Sequence, residues 1–246
     1  MTTKESVVTI EQMQVGVAAV NIVGTSPMIF NAMSAKARHE LLLPRGRKSV
    51  AEKAQTLKHD PLSEYVNSCY RRIGDGETRI IFPAAAFKSA MCNAALEVQG
   101  AKKAQIGRLV WVEGDYVDVY GVPKLMMSVV RSADMNKTPD IRTRAIIRDW
   151  ACTIRVRHVM PTLSYIAVAR LLETAGMVIG VGDFRQEKGK GNYGQFRVAD
   201  ASEIAAIKKG GGIKQQDAAF KTPECYDSES AELLAWFNTE RAARGK

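Results

Sequence analysis

Between Thr174 and Val198 the chain reads TAGMVIGVGDFRQEKGKGNYGQFRV, in which Gly189, Gly191 and Gly194 spell G-x-G-x-x-G. That spacing binds a pyrophosphate when a strand precedes it and a helix follows, because the helix N-terminus then faces the anion. Here the order is reversed. A helical pattern stops near Gly176, a polar loop carries Arg185, Lys188 and Lys190, and Gln195-Phe196-Arg197-Val198 reads as a strand. A basic, glycine-rich loop so placed brings backbone N–H groups and cations to the phosphates of a nucleic acid. Tyr193, between Asn192 and Gly194, reads as the tip of an exposed turn and the loop's candidate for stacking on a base. Phe196 reads as core.

Two further basic stretches could serve the same chemistry. Residues 34–60 carry Lys36, Arg38, Arg45, Arg47, Lys48, Lys53 and Lys58 against Glu40, Glu52 and Asp60. In RSADMNKTPDIRTRAIIRDW, Arg142, Arg144 and Arg148 have only Asp140 and Asp149 close by, and arginine forks bind phosphate bidentately and stack on bases. Arg155 and Arg157 alternate with Cys152, Ile154 and Val156, so one side of that strand is core and the other is polar and positive.

Lys and Arg number 35 against 26 Asp and Glu, a formal charge of +9 that favours polyanionic partners. The cysteines Cys69, Cys92, Cys152 and Cys225 are widely spaced and fit reduced thiols. His39, His59 and His158 lack metal-ligand spacing, and neither a Walker motif nor a nucleophile elbow is present. Neither a cofactor nor a metal is therefore expected. The opening MTTKESVVTI lacks a signal-peptide layout, and no apolar run approaches the ~18 residues of a membrane span, so a cytoplasmic protein is expected.

These residues need elements to hold them. Valine-rich residues 15–23 predict a strand, and Pro83 opens a helix in which Phe87, Met91, Ala94 and Val98 recur at helical spacing. Strand patterns follow at 109–112, 116–120, 125–130 and 150–156, then an amphipathic helix at 163–175 and the Phe196 strand. Without its insertions, at about 31–82 and 131–149, the order is β-α-β-β-α-β. That order predicts an α+β, ferredoxin-like or RRM-type domain over 1–208. Residues 209–246 follow a glycine joint at 208–212, with a terminal helix at about 228–243.

The proline-led FPAAAFKSAMCNAA, with Lys88 in its first turns, and the late GVGDFRQEKGKGNYGQFRV resemble the RAMP superfamily. The Cas7-like backbone subunits of CRISPR effector complexes are the nearest type. PDIRTRAIIRDW and the residues after it are also similar to a group of phage and prophage proteins. The resemblance covers roughly residues 15–200; it lacks a strict second half of the superfamily's glycine motif and leaves the tail after residue 208 unmatched. It implies an RRM-derived palm with finger- or thumb-like insertions, and homopolymers growing along a single strand of RNA or DNA. The insertion cations, with Lys88, Arg155 and Arg157, would then lie against the strand.

The expected function is non-enzymatic single-strand binding through phosphates, with little base reading. Three rivals stay open. A RAMP-type endoribonuclease would use a histidine as general base, or Asp115 and Asp118 on Mg²⁺. A phage factor would anneal complementary strands, and a structural protein would carry its charge incidentally.

Overall fold

The alternation of small apolar residues that marks the first strand also makes it the centre of the fold. The computed structural model describes residues 12–33, 38, 39, 42, 59–131, 138–188 and 191–244. Within them the chain forms β1 (Gln14–Gly24), β2 (Met28–Ile29), α1 (Pro61–Asn67), β3 (Tyr70–Arg71) and β4 (Ile80–Pro83). There follow α2 (Ala84–Ala94), α3 (Lys103–Leu109), β5 (Val110–Val112), β6 (Tyr116–Asp118), β7 (Pro123–Arg131) and β8 (Pro139–Ile147). The last elements are β9 (Ala151–Met160), α4 (Tyr165–Val178), β10 (Phe196–Val198), α5 (Ala201–Gly210), α6 (Ile213–Lys221) and α7 (Ser228–Ala243). Helices and small antiparallel sheets together make this an α+β protein.

The main sheet has the order β10-β1-β9-β5, and every neighbouring pair is antiparallel. Along β1 and β9, Val20 pairs with Ile154 and Ile22 with Cys152, all buried. Val17 opposite Arg157 and Ala19 opposite Arg155 stay exposed, because successive side chains leave a strand on opposite faces. The helices α2 and α4 join the buried face in one core, through Phe87, Met91, Val168, Leu172 and Ala175. An edge-to-face column of rings, Trp150, Phe196, Phe87 and Phe82, runs through it with centroids 6.1, 6.0 and 6.0 Å apart. Each fully buried ring is worth about 1.5–3 kcal/mol of transfer free energy, so this column outweighs any surface ion pair here. Gly176 does not end the helix. It lies inside α4, buried where the helix meets Phe196, and a Cβ there would sit 2.0 Å from the Phe196 carbonyl oxygen.

Residues 139–147, expected as part of a polar insertion, pair with β7 along nine positions, and Ala145, Ile146 and Ile147 are buried. β2 completes this second sheet in the order β2-β8-β7. The third sheet, β3-β4-β6, is small and sits under the tail. Its anchor is Gln216 of α6, which is fully buried. Gln216 Oε1 accepts from the Arg79 and Ile80 N–H groups at 2.7 and 2.8 Å, and its amide donates to the Val119, Gly121 and Gly211 carbonyls.

The glycine run before α6, expected as a flexible joint, is a site of close backbone approach. Gly211 is buried, its carbonyl accepts from Gly121 N–H at 2.9 Å, and a Cβ on it would stand 2.2 Å from Gly121 N. Among the described residues no helix is long and apolar enough to cross a membrane.

Candidate nucleic-acid interface

Among the described residues, five cations gather around a cleft at the third sheet. β3 follows α1 after two residues and pairs with β4, Tyr70 opposite Ile81 and Arg71 opposite Ile80. The connecting turn bends through Gly74 at φ 93°. Arg71 and Arg72 from this hairpin, Arg79, Arg38, and Lys221 from α6 line a cleft of about 930 Å³, with Asp217 as the carboxylate among its lining residues. Tyr70, Tyr116 and Phe220 supply its aromatic surface; Tyr70 and Tyr116 stand 6.0 Å apart, and Tyr116 is 49% exposed.

Two of these arginines are structural as well as positive. Arg72 donates to Asp118 at 2.6 Å. Arg79 grips both oxygens of Asp217 and also donates to the Arg72 and Gly74 carbonyls. The hydrogen bonds from Arg79 hold the Asp217 carboxyl below the usual carboxylate range. Arg71 rests 5.6 Å over the Phe220 ring, which leaves its guanidinium edge for phosphate. The cleft can therefore take phosphates on Arg71, Arg38 and Lys221 and bases on its tyrosines.

A second groove, of about 300 Å³, opens on the other side of Tyr70, between α2 and the loop after α4. Arg185 lines it, donates to Glu187 at 2.8 Å and to the Gly182 carbonyl at 3.2 Å, and is thereby partly neutralised. Asn93 of α2 donates to the same Glu187.

The open face of the main sheet carries Arg155 and Arg157. Both pair with Glu113, at 2.6 and 2.9 Å, and Arg157 lies 5.8 Å over the Trp111 ring. The Arg155 hydrogen bond is the main cause that lowers the Glu113 pKa. The alternation expected from sequence thus holds for this strand, with a shared carboxylate between its two cations.

Other expected residues are placed differently. Arg142 is exposed on β8, but Arg144, two residues along, is 5% exposed and faces Asp183 at 2.6 Å. Burial lowers its pKa, with Asp183 acting against that shift. Arg144 is thus an internal cation and leaves the set of strand contacts. Arg148 is exposed and lies 5.3 Å over Tyr226. Lys88 shares the side of α2 with Cys92, which faces α3, away from both openings. Tyr193 is half-buried against Ile29, Met126 and Ile146, so it packs instead of capping an exposed turn. Gly191 and Gly194 serve the loop's own packing: a Cβ would meet the Phe184 oxygen at 1.5 Å in the first and the Val181 oxygen at 1.7 Å in the second. Lys36, Arg45, Arg47, Lys48, Lys190 and the side chain of Lys188 lie outside the described residues.

Tyr70, Arg71, Arg72, Arg79, Tyr116, Phe220 and Lys221 were not singled out by sequence. The signal for the first four was there in CYRRIGDGETRI, an aromatic-basic cluster astride a Gly-Asp-Gly turn.

The ribonuclease candidates are dispersed. His39 is exposed, and His158 is buried beside Gly16. Both ring nitrogens of His59 are engaged by carboxylates, Glu64 and Asp140, each at 3.0 Å. Asp118 is held by Arg72 and Thr78. Among the described residues no group of three or more His, Cys, Asp or Glu side chains is placed to hold a metal ion. No protein-family model matches the chain, and no curated protein matches its sequence.

Proposed function

We propose that this protein binds single-stranded nucleic acid, RNA or DNA, mainly through its phosphates, on a ferredoxin-like palm of the RAMP type. The observation that carries the reading is the cleft at the third sheet, where Arg38, Arg71, Arg72, Arg79 and Lys221 surround three aromatic rings and a single carboxylate. Cations that track a backbone and rings on which bases stack are the two parts of sequence-tolerant strand binding. The palm is supported by the antiparallel order β10-β1-β9-β5 with α2 and α4 on one face, which is the order of the ferredoxin-like fold.

On this reading the protein is not an enzyme, and copies line up along the strand; the exposed Met13, Val15 and Val17 of β1 and its approach give each copy an apolar surface for the next. Four free cysteines support a reducing, cytoplasmic setting.

Fluorescence anisotropy with labelled single- and double-stranded RNA and DNA tests the reading. Tight binding to single strands, in particles that grow with oligonucleotide length, is the expected result. Strand cleavage would instead favour the ribonuclease, faster pairing of complementary strands the annealing factor, and no binding at low salt a structural role.

A further inference from the structure

The cleft and the groove meet at Tyr70, yet their charges differ. The cleft's lining has five cations and Asp217, whereas the groove's two carboxylates, Asp183 and Glu187, are each paired with an arginine, Arg144 and Arg185. A phosphate is therefore favoured in the cleft, and the balanced charges of the groove do not attract one. The groove's floor is apolar, formed by Phe82, Ala86, Ala90, Ile179 and Val181. Its rim is polar, with Asn31 and Ser89 both exposed. An apolar floor with a few convergent polar groups is the build of a small-ligand site, and about 300 Å³ is at the small end of that range.

We infer that the groove is a nucleobase pocket: when a strand lies in the cleft, one base turns past Tyr70 and enters it. The inference rests on the strand-binding reading above and adds a base preference to it. Pockets for extruded bases read the base edge by hydrogen bonds and clamp its faces with apolar side chains. The edge reader is Asp183. Arg144 engages its Oδ2 at 2.6 Å from the buried side, and among the described residues no group donates to Oδ1, which can accept an N–H. A carboxylate acceptor selects a base with an exocyclic amino group, as aspartate and glutamate do with cytosine N4. Uracil presents its N3–H between two carbonyl oxygens, which a carboxylate repels. The Asn31 amide, on the rim, can serve a second edge atom, as asparagine does with adenine.

The supporting residues are fixed before any base arrives. Glu187 is tied to Arg185 and Asn93, so it braces α2 against the loop and is not free to read. The loop backbone comes close enough to line the groove because Gly180 and Gly182 take φ 73° and 88°.

The test measures affinities of oligo(A), oligo(C) and oligo(U) RNA of equal length for the full chain and two rim variants. Asp183→Asn is avoided, because it would strip a buried arginine of its partner. Ser89→Trp plugs the groove from an exposed position, and Asn31→Ala removes a rim reader; a thermal melt confirms that each folds. The expected result is about tenfold tighter binding of oligo(A) and oligo(C) than of oligo(U), the scale of one hydrogen bond to a charged group. Ser89→Trp should bring all three to the oligo(U) value, and Asn31→Ala should narrow the oligo(A) advantage. Equal affinities for the three polymers, or a preference that Ser89→Trp leaves intact, would overturn the base pocket while strand binding stands. Failure of every polymer to bind would overturn both.

Discussion

Arg79 and Asp217 face each other in a two-point grip, Nε on Oδ1 at 2.8 Å and Nη2 on Oδ2 at 2.9 Å. The pair joins the β3–β4 hairpin to α6, two parts of the chain separated by 138 residues. It makes the tail a wall of the basic cleft instead of an appendage.

Breaking that grip should separate charge from stability. Asp217→Ala removes the cleft's carboxylate and releases Arg79, so strand affinity should rise. The cost in stability should be under about 1 kcal/mol, because both side chains are partly solvated. The acid limb should shift too. The folded-state pKa of Asp217 is depressed, so its contribution is present above the unfolded pKa and is lost as pH falls through the folded one. Urea denaturation of wild type and variant across the acid range should therefore converge at the lowest pH.

Gln216→Leu should be far more damaging. It leaves the Arg79 and Ile80 N–H groups and the Val119 and Gly121 carbonyls without the partner they now share, while the Gly211 carbonyl keeps the Gly121 N–H. Stranding buried polar groups costs about 1–3 kcal/mol each before relaxation, so a loss of several kcal/mol is expected by chemical denaturation. A loss below 1 kcal/mol, within reach of a surface change, would mean α6 is not held by this side chain.

Arg142 and Arg144 look equivalent in sequence, and the structure divides them. Arg144→Met should destabilise the fold by about 2–4 kcal/mol, toward the low end for a broken buried pair because Asp183 keeps some solvent. It should leave the salt dependence of strand binding unchanged. Arg142→Ala should do the reverse, with little effect on stability. The sequence places both on one face of β8, but it does not show that β2 and the loop around Asp183 close over one end of that face. Burial of Arg144 depends on a partner 39 positions away in the chain.

The same reason explains what else was legible. Periodicity places β1, β9, α2 and α4 because each buries residues of its own pattern, as Val20, Ile22, Ile154 and Val156 do. The cleft has no such signature. Tyr70 and Arg71 come from a strand of two residues, Tyr116 from one of three, and Phe220 and Lys221 from a short helix in the tail. Packing alone brings them together. Composition correctly marks GKGNYG as unusual, yet Gly191 and Gly194 are required by close backbone packing, which uses the same residue type as a phosphate cradle.

On the open sheet face, Glu113 should temper its two arginines. Arg155→Ala with Arg157→Ala should lower the log–log salt slope by about 1 instead of about 2, since one of the two charges is already balanced. Glu113→Gln should steepen it. A double variant identical to wild type would take this face out of the interface.

Placement of phosphates in the cleft at Tyr70 is tested most directly by the salt dependence of single-strand affinity, for wild type and for Arg71→Ala with Lys221→Ala. A steep wild-type slope, weaker binding by the double variant at low salt, and a slope reduced by about 2, one unit for each lost phosphate contact, are expected. An unchanged slope in a folded double variant would contradict that placement and move the strand elsewhere on the protein.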